Sequence, residues 1–127
     1  MKNPLPINIL IADDHKLITD GVAQLLKGER SIGGIYIANN GKEALETALT
    51  QSIDCVVMDI NMPVISGWDF IEAFEKLDPD MTAGIKLYIY TSSVYFEDIN
   101  TARNFRSVSD IISKPLTKEV LQKICSL

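Results

Sequence analysis

The chain has 127 residues, of which 46% are apolar and 23% are charged, and its net charge at neutral pH is −5. These values are typical of one soluble globular domain, so we expect residues 1–127 to form a single domain. The acidic balance argues against non-specific nucleic-acid binding, which needs a basic face. No apolar run approaches the roughly 20 residues of a membrane span, and the amino terminus lacks the apolar stretch of a signal peptide. Two cysteines are too few for a disulfide framework, which favours reduced thiols and a cytoplasmic location.

Short apolar runs alternate with segments of helical periodicity along the whole chain. The runs are bounded by polar residues, as in buried strands of a parallel sheet. The helical segments carry apolar residues on one face, and the third ends at Asp78-Pro79 because proline cannot continue a helix. Thr117 is the predicted cap of the last helix. The predicted strands are residues 7–12, 35–38, 54–58, 86–90 and 110–112. The first predicted helix covers residues 15–28, the second begins at residue 41, the third ends at residue 78, the fourth covers residues 96–105 and the fifth begins at residue 118.

Strict alternation of strands and helices predicts an α/β fold. Its core is a doubly wound, five-stranded parallel sheet with right-handed crossovers and helices on both faces. The commonest solution for five such units is the flavodoxin-like strand order 2-1-3-4-5. In such sheets, ligands bind outside the carboxyl ends of the strands.

Polar side chains with obvious chemistry stand at four of these carboxyl ends. Asp13 and Asp14 follow the first strand, Asp59 the third, Thr91 the fourth and Lys114 the fifth. Because the carboxyl ends of parallel strands meet at one edge of the sheet, we expect these residues to converge on one small cleft.

The chemistry of this set is that of a cation and a phosphate. Three close carboxylates repel one another unless a cation lies among them. We count only oxygen ligands in the set, which favours Mg²⁺, or Mn²⁺, over zinc. The ammonium of Lys114 and the hydroxyl of Thr91 suit a phosphate. A carboxylate in such a site can itself attack phosphorus and form an aspartyl phosphate.

The arrangement resembles the receiver domain of bacterial two-component response regulators, in its stand-alone form. The resemblance covers essentially the full chain, and its motifs are specific only in combination and in this order. It implies a domain that accepts a phosphoryl group from a sensor histidine kinase or a histidine phosphotransfer protein. Such a domain signals by a conformational change and is not an enzyme beyond its own phosphorylation and dephosphorylation. The matching motifs are Asp13-Asp14, Asp59 to Pro63 with Gly67, Thr91-Ser92 and Lys114-Pro115.

The resemblance also assigns roles around the metal and the phosphoryl group. It implies that Asp59 is the phosphoacceptor, that Asp14 binds Mg²⁺ directly and that Asp13 holds it through water. The backbone carbonyl of Asn61 would complete the coordination. Of the two remaining residues, the hydroxyl of Thr91 would follow the phosphoryl group and the ammonium of Lys114 would bind it.

One position departs from the family pattern. Three residues before the lysine the family usually has Tyr or Phe, and this chain has Ile111. Three tyrosines are near enough in sequence to be considered as substitutes for this aromatic residue, namely Tyr88, Tyr90 and Tyr95. We expect each of them to serve in packing instead. The resemblance places the downstream partner on the face formed by the fourth helix, the fifth strand and the fifth helix, with basic residues that suit an acidic partner. These are Arg103, Arg106 and Lys118.

Other interpretations make distinct demands on the sequence. A phosphatase of the haloacid-dehalogenase type needs a second acid two residues after the nucleophile, where this chain has Asn61. A flavin-binding electron carrier needs a Ser/Thr/Gly-rich phosphate loop after the first strand, where this chain has Asp13-Asp14-His15. Nothing follows the fifth helix, so we expect no output domain unless the chain was cut from a hybrid kinase. We expect His15 to be an ordinary surface residue.

Overall fold

The computed structural model describes residues 6–29, 32–60, 66–91, 100–101, 103–113 and 117–124. Within these residues five strands form one parallel sheet in the order β2-β1-β3-β4-β5, which confirms the predicted fold class and strand order. The strands are β1 Ile7–Ala12, β2 Ile32–Ala38, β3 Cys55–Asp59, β4 Lys86–Thr91 and β5 Val108–Ser113. The helices with full bounds are α1 Lys16–Leu26, α2 Gly41–Thr50, α3 Gly67–Glu75, α4 Pro79–Thr82 and α5 Lys118–Ile124.

Two apolar cores lie on opposite faces of the sheet, because successive side chains of a strand point to opposite faces. The core under α2 and α3 contains Leu10, Val56 and Ile89 from the sheet. The core under α1 and α5 contains Ile9 and Val57 from the same strands. The central strands are therefore buried on both sides, which explains their nearly continuous apolar sequences.

Side-chain caps fix where three of the helices begin. Asn40 accepts a hydrogen bond from the backbone N–H of Glu43 and starts α2. Ser66 and Asp69 form a reciprocal capping box at the start of α3. Thr117 accepts from the N–H of Val120, as its predicted role as the cap of α5 requires.

Several predicted boundaries differ from those of the structure. β2 begins at Ile32, three residues before its predicted start, and β5 is longer than predicted at both ends. α3 ends at Glu75 and not at the predicted Asp78. Pro79 therefore does not end this helix. It occupies the first turn of the short α4, which Asp78 caps, because proline suits a position whose N–H has no helical partner.

Helical periodicity in the sequence predicts that Leu17 shares the apolar face of α1 with Ile18, Val22, Leu25 and Leu26. This prediction is wrong for Leu17, which is 89% exposed. Of the predicted fourth helix, residues 100, 101 and 103 are helical, and residues 92–99 lie outside the described part of the chain. Among the described helices, none combines the length and the apolar composition that crossing a membrane requires.

Candidate functional site

Three polar side chains continue the strand alternation at the carboxyl edge of the sheet. Asp13 follows Ile9 and Ile11 in the alternation of β1, and Asp59 follows Val57 in that of β3. Tyr90 is the register partner of Asp59 across the β3–β4 ladder. All three therefore project from the face that carries α1 and α5, where they are almost completely buried.

The acidic side chains form one cluster, as the sequence predicts. Asp13, Asp14, His15 and Asp59 each offer one ligand atom, and these atoms all lie within 4.8 Å of one another. The exposed fractions of Asp13 and Asp59 are 0% and 2%, whereas the side chain of Asp14 is 35% exposed. Carboxylates this close and this far from water need hydrogen-bond donors or a cation to offset their repulsion.

His15 supplies donors at the exposed side of the cluster. Its backbone N–H donates to Asp13 Oδ1 at 2.9 Å, and its ring Nδ1 lies 2.7 Å from the same oxygen. The same ring nitrogen is 3.2 Å from Asp14 Oδ1. The side chain is 58% exposed, so the surface prediction is correct in exposure but misses these contacts with both acids.

Tyr90 supplies a donor at the buried side of the cluster. Its hydroxyl donates a hydrogen bond to Asp13 Oδ2, from a residue that is fully buried. Burial raises the pKa of Tyr90 far above its ordinary value, and the hydrogen bond to Asp13 and the charges of Asp13, Asp59 and Asp14 raise this pKa further. The hydroxyl therefore keeps its proton at neutral pH and acts as a donor.

This set of donor atoms fits a hard divalent cation. Three carboxylates in and around the cluster offer the oxygen ligands that Mg²⁺ and Mn²⁺ prefer. The predicted set of oxygen ligands alone is wrong, because His15 also belongs to the cluster and its Nδ1 atom lies close to both Asp13 and Asp14. An imidazole nitrogen beside carboxylates favours Mn²⁺ more than an all-oxygen set does.

The other predicted site residues are placed only in part. Thr91 is the last residue of β4 and pairs in register with Ser113 at the end of β5, so the ends of both strands lie side by side. Its side chain lies outside the described part of the chain, and so do Asn61 and Lys114 as whole residues.

Of the three tyrosines considered as substitutes for an aromatic ring at position 111, Tyr88 and Tyr90 do not lie where such a ring would. Ile111 pairs in register with Ile89, whose side chain belongs to the core under α2 and α3. Tyr88 and Tyr90 belong to the core on the other face. Neither can stand in for a ring at 111, and Tyr95 lies outside the described residues.

Sequence reasoning missed Tyr90 as a member of the site. One signal was available, since Tyr90 directly precedes Thr91 at the end of a predicted strand. The contact between its hydroxyl and Asp13 could not be predicted from the sequence, because β3 lies between β1 and β4 in the sheet.

The fold and the site together define a class, namely flavodoxin-like α/β domains with a buried acidic cluster at the carboxyl edge of the sheet. Comparison with known protein families narrows this class to a single family. The chain matches the model of the response regulator receiver domain over residues 9–126 and belongs to that family. Receiver domains are signalling domains of two-component systems, and they generally bind Mg²⁺ at an acidic cluster.

Individual relatives agree with this membership. The nitrate/nitrite response regulator protein NarL of Escherichia coli K12 is 31% identical over 123 residues, which are 97% of this chain and 55% of NarL. The chain thus spans about half the length of this curated relative. A CheY-like receiver domain from Methanospirillum hungatei is 27% identical, with a TM-score of 0.81 over 95% of this chain and 92% of the other.

A third comparison supports the fold alone. The receiver domain of Saccharomyces cerevisiae Ssk1, in co-crystal with the histidine phosphotransfer signaling protein Ypd1, is 22% identical to this chain. Its TM-score is 0.81, and the match covers 97% of this chain and 89% of the other.

Proposed function

We propose that Asp59 of this chain accepts a phosphoryl group from a phosphohistidine protein, in the presence of Mg²⁺ or Mn²⁺. The observation that carries the proposal is the clustering of Asp13, Asp14 and Asp59 at the carboxyl edge of the sheet. Membership of the receiver family supports it. The phosphodonor is a sensor histidine kinase or a histidine phosphotransfer protein. The second of these is the kind of protein with which the Ssk1 receiver domain was co-crystallised.

The contacts of the three acids support a division of roles. Asp59 ends β3, the central strand, where it is buried beside the other two acids. Both carboxylate oxygens of Asp13 accept hydrogen bonds from protein donors, which suits an acid that meets the cation through water. Asp14 is the most exposed of the three and suits direct coordination. The backbone carbonyl of Asn61 completes the proposed metal site.

The proposed reaction transfers the phosphoryl group from nitrogen to oxygen. An oxygen of the Asp59 carboxylate attacks phosphorus, the P–N bond to the donor histidine breaks, and its electron pair returns to the imidazole nitrogen, which takes up a proton. The cation, when bound, offsets negative charge on the phosphoryl oxygens. The Lys114 ammonium adds a second positive charge, and the Thr91 hydroxyl binds a phosphoryl oxygen as a donor.

The wider assignments follow from the same proposal. Residues 1–127 act as one receiver domain with no catalysis beyond their own phosphorylation and dephosphorylation, and they signal to a downstream protein. The partner surface combines the predicted fourth helix, β5 and α5, on which Arg103, Arg106 and Lys118 are exposed. Lys118 also pairs with Glu29 at 3.5 Å, so part of its charge is already engaged. A cytoplasmic location suits the low cysteine content, since two cysteines are too few for a disulfide framework.

The test is the intact mass of the protein after incubation with acetyl phosphate and Mg²⁺. We expect the wild-type protein to gain the mass of one phosphoryl group and the Asp59→Ala variant to gain none. Asp20→Ala is the matched control, because Asp20 is an exposed acid on α1 that pairs with Lys16, and it should gain the group normally. Phosphorylation of the Asp59→Ala variant would show that another residue is the acceptor.

A further inference from the structure

We infer that Tyr90 is a positioning residue of the cation site, because its hydroxyl holds Asp13 in the orientation that a divalent cation needs. This inference rests on the proposed cation site and adds a residue to it. It also connects the end of β4 to an acid that follows β1, two strands away in the sheet.

Hydrogen bonds hold the Asp13 carboxylate at both of its oxygens. Tyr90 donates to Oδ2 from inside the core, and the backbone N–H of His15 donates to Oδ1 from the exposed side. The side chain of Asp13 is 0% exposed, so bulk water cannot replace a donor that is lost. Removal of the Tyr90 hydroxyl therefore takes away the donor to Oδ2 and makes the orientation of the carboxylate less fixed.

Tyr90 is held as firmly as the acid that it contacts. The residue is fully buried and packs in the core formed with α1 and α5. Its backbone pairs with Asp59 on one side and with Ile112 on the other. A donor on a rigid central strand fixes the acid more accurately than a donor on a loop does. Hydrogen-bond partners that orient metal-binding acids typically change metal affinity by about 10- to 100-fold when they are removed.

The first experiment measures the dissociation constant for Mg²⁺ by calorimetry. We expect Tyr90→Phe, which keeps the ring and its packing, to raise this constant at least tenfold. Tyr88→Phe is the matched control. Tyr88 lies two residues earlier on the same face of β4 and pairs with Val57 and Asp110, so its constant should remain within twofold of wild type. A Tyr90→Phe constant within twofold of wild type would overturn the inference.

A double-mutant cycle tests whether Tyr90 acts through Asp13. In the Asp13→Asn background, Tyr90→Phe should cause little further change in the Mg²⁺ constant, because the acid that it orients is gone. A tenfold loss that persists in this background would mean that Tyr90 affects binding by another route, and the inference would be wrong.

A measurement on the wild-type protein covers the case in which a variant does not fold. Saturating Mg²⁺ should shift the NMR resonance of the Tyr90 ring carbon that bears the hydroxyl, and should leave that of Tyr88 nearly unchanged. Equal or absent shifts at the two rings would contradict the inference. If the wild-type protein bound no Mg²⁺, the proposed cation site would fail together with it, whereas Mg²⁺ binding that is indifferent to Tyr90 would overturn the inference alone.

Discussion

The two edges of the sheet use the same residue types in opposite ways. At the amino edge, Asn8 and Asp54 connect the starts of the strands. The Asn8 side chain donates to the carbonyl of Ser52 at 2.6 Å and accepts from the N–H of Gly34 at 2.9 Å, and Asp54 Oδ2 accepts from the N–H of Asn8 at 2.8 Å. At the carboxyl edge, three acids instead face one another.

The difference separates architectural polar groups from functional ones. Asn8 and Asp54 each bond to main-chain groups of another segment, and such contacts stabilise the fold because they meet hydrogen-bonding capacity within it. Carboxylates that lie close together repel one another, and a bound cation can offset this repulsion. The arrangement of partners around an acid therefore indicates its role better than its position at a strand end does.

The largest expected effect sharpens this comparison at the carboxyl edge. Mg²⁺ that binds only the folded protein raises the free energy of unfolding, by about 2.7 kcal/mol at a concentration one hundred times its dissociation constant. We expect Asp14→Ala to abolish this Mg²⁺-dependent rise in melting temperature, since the variant lacks the most exposed acid of the cluster. Thermal unfolding with and without Mg²⁺ measures the effect, and an unchanged rise would remove Asp14 from the site.

Substitution of a glycine at the carboxyl edge tests whether this edge also contains a residue whose role is to allow close packing of the fold. A Cβ at Gly67 would lie 2.6 Å from Ile60 Cα and 2.9 Å from the carbonyl oxygen of Asp59, both backbone atoms. We expect Gly67→Ala to lower the free energy of unfolding by about 1–3 kcal/mol, as overpacking does. Denaturant unfolding provides the measurement.

The matched control for this substitution lies within α1. A Cβ at Gly21 would meet nothing within 4 Å, so Gly21→Ala should raise the free energy of unfolding by about 0.5–1 kcal/mol through helix propensity alone. If the two variants had equal stability, the close approach of α3 to the end of β3 would not constrain position 67.

The smallest expected effect concerns the amino edge. Asn8→Ala removes a donor to Ser52 and an acceptor for Gly34, at a partly buried position. We expect the free energy of unfolding to fall by about 1 kcal/mol, while the Mg²⁺ dissociation constant stays the same. Calorimetry on the folded variant checks the second part. A clear change in Mg²⁺ affinity would contradict the assignment of the amino edge to fold stability and of the carboxyl edge to cation binding.

The fold could be predicted from the sequence because its signals are local and repeated. Apolar runs such as Ile7–Ala12 have the length of strands, and caps such as Asn40 and Thr117 stand at helix starts. Errors arose where the chain contradicts a simple rule. Leu17 is apolar and on the predicted face of α1 but is 89% exposed, which periodicity cannot reveal.

The candidate site could be predicted only as far as strand ends indicate convergence. The clustering of Asp13, Asp14 and Asp59 follows from parallel strands, since their carboxyl ends share one edge. The contact between Tyr90 and Asp13 depends on the width of the sheet and on the length of a tyrosine side chain, which no local pattern encodes. The family resemblance also gave no hint of it, because the residue lies outside the matching motifs.

The contact between Tyr90 and Asp13 has a consequence for how the chain folds. It joins residues 77 positions apart, across a strand that must already lie between them. A partly folded chain in which β4 has not yet paired with β3 lacks this contact and presents an incomplete cluster. We expect a contact of this sequence separation to form after the folding transition state, so that it contributes little to the folding rate and mainly slows unfolding. A cation at this site would therefore lengthen the lifetime of the native state and leave the speed at which it forms nearly unchanged.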